Sequence, residues 1–145
     1  MDMIIRPITE ADLPLLDKNV RSSYGRSHAQ ELHEQAQGHL TFYVVWLGEM
    51  PIGTGFVRWA GPRDAYVHSA YPDCPEVYRL GIDPEHQSRG IGSRLLSECE
   101  RAAKERGYTQ IGLGVGLENP RAEALYRRLG YVDSEVSHYC LLYTS

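Results

Sequence analysis

Gln87-Ser-Arg-Gly-Ile-Gly92 lies between a strand-like segment, Val77 to Ile82, and a predicted helix running from about Gly90 to Arg106. Ile91, Leu95, Cys99 and Ala102 recur on one face of that helix at its own period. A turn poor in bulky side chains leaves several backbone N–H groups pointing outward. The helix it opens adds the positive end of its dipole, so a diphosphate can be held there without a lysine. Glycines also punctuate strand-to-helix turns that bind nothing, and two of them carry little weight alone. The spacing is not G-x-G-x-x-G, and no Gly-Lys-Ser/Thr follows as a P-loop requires, so both familiar nucleotide motifs are excluded. What remains is Q-x-x-G-x-G.

The longer stretch Leu80-Gly-Ile-Asp-Pro-Glu-His-Gln-Ser-Arg-Gly-Ile-Gly-Ser-Arg-Leu-Leu96 resembles the acetyl-CoA-binding motif of the GNAT superfamily of N-acyltransferases. Asn119-Pro-Arg-Ala-Glu-Ala-Leu-Tyr-Arg-Arg-Leu-Gly-Tyr131 resembles its second signature, and the likeness runs from Met3 to about Tyr131. The resemblance implies a mixed α/β (α+β) fold. Its central sheet is mostly antiparallel, splayed between the fourth and fifth strands and flanked by helices. It also implies acetyl-CoA as cosubstrate, an amine as acceptor, and homodimerisation as a common state.

A chain of 145 residues suits one domain, expected over residues 1–139. Cys140-Leu-Leu-Tyr-Thr-Ser145 resembles the in-frame translation of a sequencing-adapter end and is expected to be a non-native scar. No apolar run approaches membrane-spanning length and the first residues lack an export signal, so a cytoplasmic protein without membrane partners is expected. Cys74, Cys99 and Cys140 are odd in number and widely spaced, against a disulfide framework or zinc knuckle. The six histidines show no ligand spacing, and no metal is expected. A net charge of −4 disfavours nucleic acid and mildly favours a small cationic acceptor.

Along the chain, Ile4 to Pro7 reads as a strand, and Thr9 with Asp12 as a capping box for a helix towards Arg21. A second helix is predicted from Ala29 to Gln37. Thr41 to Leu47 and Ile52 to Trp59 read as an antiparallel hairpin, Ala60 to Pro75 as a long loop, and Glu76 to Ile82 as the next strand. In Thr109 to Leu117, Gly112, Gly114 and Gly116 share one bare face. That face makes room either for a ligand or for a close packing contact; the resemblance implies the pantetheine arm. Pro120 suits the first turn of a helix capped by Asn119 and ending at Gly130, with Ala122, Leu125, Tyr126 and Leu129 as its buried stripe. The tail from Val132 has room for one or two closing strands.

The chemistry sets a requirement. A lysine-like amine, pKa ~10.4, is free base at pH 7 about once in two thousand molecules, a penalty of roughly 4–5 kcal/mol, so a base or a pKa-lowering site is expected. The resemblance puts a glutamate base at Glu76. The alternative is a strand-end carboxylate, solvated or paired with an arginine. Strict alternation would put Glu76 on the face of Leu80 and Ile82, so a β-bulge is predicted near Leu80. Tyr126 matches the tyrosine that protonates the leaving thiolate, with core packing as the competing reading. Gln87, Arg89, Gly90, Ile91, Gly92 and Ser93 are expected at the diphosphate. Gly81, Ile82, Asn119 and Tyr126 are expected along pantetheine.

Tyr24, Asp73 and Glu76 are candidate acceptor contacts, with Glu31 and Glu34 nearby. Such a lining suits a polyamine, and the resemblance makes an aminoglycoside or amino sugar the leading expectation. A protein N-terminal or lysine acetyltransferase, an amino-acid or polyamine acetyltransferase, and a non-catalytic acyl-CoA-binding module stay open.

Overall fold

Seven strands form one sheet in the order β1-β2-β3-β4-β5-β7-β6, seen in a computed structural model that describes residues 2–22, 25–115 and 120–144. The strands are β1 (Met3–Pro7), β2 (Leu40–Leu47), β3 (Met50–Arg58), β4 (Glu76–Ile82), β5 (Gln110–Gly114), β6 (Val132–Asp133) and β7 (Tyr139–Tyr143). The helices are α1 (Leu13–Asn19), α2 (His28–Ala36), α3 (Ala65–Ala70), α4 (Ile91–Glu105) and α5 (Pro120–Arg128).

Alternation along β2 explains the two layers. Phe42, Val44 and Trp46 join Ile8, Leu16 and Phe56 in the core beneath α1 and α2. Tyr43 and Val45 join Val57, Leu95, Leu96, Cys99, Ile111 and Leu113 beneath α4. Helix starts are set locally. The Thr9–Asp12 capping box forms, Ser27 caps α2, and Pro14 sits in the first turn of α1. Residues 10–12 are a 3-10 turn, so α1 itself is short and ends at Asn19, before Arg21.

The segment read as a long loop contains α3. Asp64 Oδ1 accepts from the N–H groups of Tyr66 and Val67 at 2.9 and 3.1 Å, which starts the helix. Residues 139–143 are built into the sheet as β7, between β5 and β6, and Cys140 and Leu141 are buried.

All adjacent pairs are antiparallel except β4 and β5, which are parallel and in register only at Glu76↔Gly112 and Val77↔Leu113. Beyond those two pairs the strands part, producing the splayed sheet. β4 also carries the bulge: Thr54 pairs with Gly81 and Phe56 with Tyr78, so three steps on β4 face two on β3. Arg79 absorbs the extra residue with φ 53, a left-handed conformation that costs an L-residue about 1 kcal/mol or more.

Candidate active site

The bulge decides which side chains face which cleft. Tyr78 packs on the α1/α2 side, while Leu80 and Ile82 pack on the α4 side. Two clefts therefore adjoin at Arg79–Leu80. One, of about 790 Å³, is bordered by Leu80, Gly81 and Ile82 of β4, the 86–93 turn, and α5. The other, of about 330 Å³, is bordered by Tyr78 and Arg79 together with side chains from α2 and the end of β3.

The larger cleft contains the cradle. Ser88 has φ 63 and Gly90 φ 77, so the turn twice enters the left-handed region before α4 begins. No side chain caps α4, which leaves the amides of its first turn available. Gln87 Nε2 donates to the Ile82 carbonyl at 3.0 Å, tying the turn to the end of β4. His86 Nδ1 lies 2.8 Å from Asp83 Oδ2. A Cβ added at Gly81 or Gly90 would meet nothing within 4 Å, and one at Gly92 only Ile82 at 3.9 Å. These glycines make no room for the protein's own atoms; their bare surface faces the cleft. Glycine in a strand, as at Gly81, weakens it unless something must approach the backbone.

Of the residues expected at the diphosphate, Gln87, Gly90, Ile91, Gly92 and Ser93 border the cleft, as do Gly81 and Ile82. Arg89 is exposed and does not border it. Arg121 and Arg128 on the facing helix border the cleft as well, and neither was among the residues expected there. Their separation from Leu125, four and three residues, puts all three on one helical face and was the available signal.

The stripe expected to be buried on α5 is only half-buried. Tyr126 and Leu129 lean on the core, whereas Ala122 and Leu125 border the cleft. Burial pushes the Tyr126 phenol up, with Cys140 adding to it, which keeps its proton on at neutral pH. Its ring lies 6.0 Å from that of Tyr131.

Glu76 is buried, and its Oε1 accepts from Arg63 Nε at 3.0 Å and from the Arg63 backbone N–H at 3.4 Å. The carboxylate is thus paired with an arginine. The Arg63 guanidinium also lies over the Tyr78 ring, 4.2 Å from its centroid, at the end of a stack formed by Phe42, Phe56 and Tyr78. The glycine face of β5 is divided. The Tyr139 ring covers Gly112 so closely that an added Cβ would lie 2.5 Å from it, while Gly114 faces open space. The Tyr139 hydroxyl is buried without a hydrogen-bond partner among the described residues. Burial, followed by the charge of Glu76, pushes its phenol up.

Asp73 is exposed and borders neither cleft. Tyr24, Asn119 and Gly116 lie outside the described residues. Glu31 and Glu34 border the smaller cleft, but Glu31 Oε1 lies 2.8 Å from His28 Nδ1 and Glu34 pairs with Arg26. Among the described residues no group of three or more His, Cys, Asp or Glu is placed to hold a metal ion.

The model of the Acetyltransferase (GNAT) family matches residues 8–131. The chain belongs to this family. Among relatives of the GNAT chain, the mycothiol acetyltransferase of Catenulispora acidiphila is 36% identical over 92 residues, 62% of this chain and 27% of that protein. The GNAT chain thus spans about a quarter of the length of the curated relatives it matches. Among solved structures, the PaiA N-acetyltransferase from Thermoplasma acidophilum in complex with coenzyme A superposes with a TM-score of 0.72, at 19% identity, covering 99% of both chains. AAC(6')-Iy in complex with the bisubstrate analogue CoA-S-monomethyl-acetylneamine gives a TM-score of 0.75, at 17% identity, covering 94% of this chain and 95% of that one. At such identities these two structures speak for the shared GNAT fold.

Proposed function

We propose that this chain is an acetyl-CoA-dependent N-acetyltransferase acting on a primary amine of a small molecule. The observation that carries the reading is the cradle at the start of α4. Its uncapped amides and bare glycines open onto a cleft of about 790 Å³, beside a bulged strand at the split of the sheet.

The fit is chemical as well as spatial. The α4 amides and the guanidiniums of Arg121 and Arg128 supply positive partners for phosphates, and the exposed backbone of Gly81 and Ile82 offers strand-like hydrogen bonds to an amide-bearing arm. Ala122 and Leu125 supply the apolar wall. Bound there, acetyl-CoA brings an activated acyl group. Arg79 and Leu80, the residues that drop out of register with β3, stand where the two clefts adjoin and the acyl carbonyl would meet backbone N–H groups. Tyr126, half-buried against the core with its phenol protonated, is assigned as proton donor to the departing sulfur on its match to the family tyrosine. Glu76 is assigned as a positioning residue that holds Arg63, since its charge is already engaged and its carboxylate is buried.

A small acceptor agrees with the second cleft of about 330 Å³. It also agrees with the relative named for mycothiol and the neighbour complexed with an acetylneamine analogue. Aminoglycosides therefore stay in the test, although Glu76, Glu31 and Glu34 are already paired and Asp73 borders neither cleft. The experiment measures thiol release from acetyl-CoA across aminoglycosides, polyamines, amino acids, and peptides, with coenzyme A affinity measured in parallel. Turnover on one small-molecule class is expected. Coenzyme A binding without turnover on any amine would instead favour a non-catalytic acyl-CoA-binding module.

A further inference from the structure

The smaller cleft contains more cation than its own carboxylates can satisfy. Arg26, Arg58, Arg63 and Arg79 border it, against Glu31 and Glu34, with Tyr78 as its floor. Glu34 is taken by Arg26, and Glu31 is in contact with His28. Arg58 stands directly across from Glu76 in the β3–β4 register, yet Glu76 is bound to Arg63. Neither Arg58 nor Arg79 has a carboxylate partner among the described residues.

Arg63 is built differently from a solvated surface arginine. Its Nε is spent on Glu76 and its plane rests on Tyr78, so the fork of its two Nη groups is oriented without a partner of its own. Arg79 is held at the bulge by a left-handed backbone. Three guanidiniums with unspent donors thus converge on a cleft that adjoins the cofactor cleft. Such a lining repels a polycation. It binds an oxyanion bidentately, and it favours the neutral form of an amine brought beside it, which is the form that can attack.

We propose that the acceptor carries an oxyanion group, a carboxylate or a phosphate monoester, besides its amine, and that Arg58, Arg63 and Arg79 recognise that group. This rests on the acetyltransferase reading above and narrows its acceptor to amino acids and amino-phosphates.

The experiment pairs each acceptor with its counterpart lacking the oxyanion: amino acids against their decarboxylated amines, and O-phosphoethanolamine against ethanolamine. Thiol release is measured for wild type, Arg58→Ala and Arg79→Ala. In parallel, the N-acetylated amino acids and N-acetyl-O-phosphoethanolamine are titrated into the coenzyme A-loaded protein by calorimetry. The expected result is a preference of roughly tenfold or more for the oxyanion member, the scale of one charge-assisted hydrogen bond. Each alanine variant should reduce it through KM, while coenzyme A affinity is unchanged. The amino acid and phosphate arms identify which oxyanion is read. Equal or reversed preference overturns the proposal. So does the absence of calorimetric binding by every acetylated probe when coenzyme A itself binds. Failure of coenzyme A to bind at all would instead remove the acetyltransferase reading.

Discussion

Glu76 and Leu80 stand four residues apart on one strand yet face opposite sides of the sheet, because Arg79 between them adopts φ 53. A regular strand would have pointed both the same way. The bulge divides β4 between the two clefts, and its backbone is the strained element that does so. Arg79→Gly is expected to stay within about 1 kcal/mol of wild type, since glycine tolerates this conformation. Arg79→Val should lose about 1–2 kcal/mol. Urea unfolding measures both; a valine variant as stable as the glycine variant would contradict a required left-handed residue.

Glu76→Gln separates positioning from proton transfer. With the carboxylate acting through Arg63, kcat should fall by less than about threefold while KM for the acceptor rises, and the acid limb of the kcat pH profile should persist. A general base would behave otherwise, losing about a hundredfold or more in kcat together with that limb.

Tyr126→Phe keeps the ring against Tyr131 and removes the hydroxyl. A loss of roughly tenfold to hundredfold in kcat is expected, with coenzyme A affinity and melting temperature close to wild type. Full turnover in this variant would assign Tyr126 to packing alone.

Gly92→Asp introduces a carboxylate into the first turn of α4, where space is open. A negative charge there stabilises a helix by about 0.3–1 kcal/mol, so the melting temperature should hold or rise. Coenzyme A affinity, measured by calorimetry, should fall by about tenfold or more, because the new charge occupies the position assigned to phosphate. Unchanged affinity would place the diphosphate elsewhere.

Asp12 gives a pH dependence with a definite sign. Hydrogen bonds from Arg6 hold its carboxyl down to about 2, against an ordinary value of 3.8, even though burial acts the other way. A lowered folded-state value means stability fully present above about pH 4 and lost as pH falls towards 2. Arg6 is 40% exposed, and the contribution, discounted for solvent screening, is about 1–2 kcal/mol. Asp12→Asn should remove it at pH 7 and flatten the dependence of urea midpoint on pH between 4 and 2.

The legible parts of this chain were those with a local cause. The period of Ile91, Leu95, Cys99 and Ala102 marked α4, two β-branched and aromatic runs flanking Gly48–Pro51 marked the β2–β3 hairpin, and the conflict between Glu76 and Leu80 pointed to the bulge. The illegible parts depended on partners far apart in the chain. Arg63 reaches Glu76 across thirteen positions, and Tyr139 folds over Gly112, so neither pairing leaves a periodic trace. The six-residue α3 is too short for periodicity, and its one signal was the Asp64 cap. The cationic character of the second cleft was missed because Arg26, Arg58, Arg63 and Arg79 come from four different segments. A charge total over the whole chain hides such a local surplus.

The seam between β4 and β5 is only two residue pairs long, so the sheet is in effect two half-sheets laid side by side. Leu95, Leu96 and Cys99 of α4 pack in one cluster with Val77 on the first half and Ile111 and Leu113 on the second. The helix works as a joist across a gap in the floor. Its packing against both sides adds a second tie between the halves, beside the short strand seam.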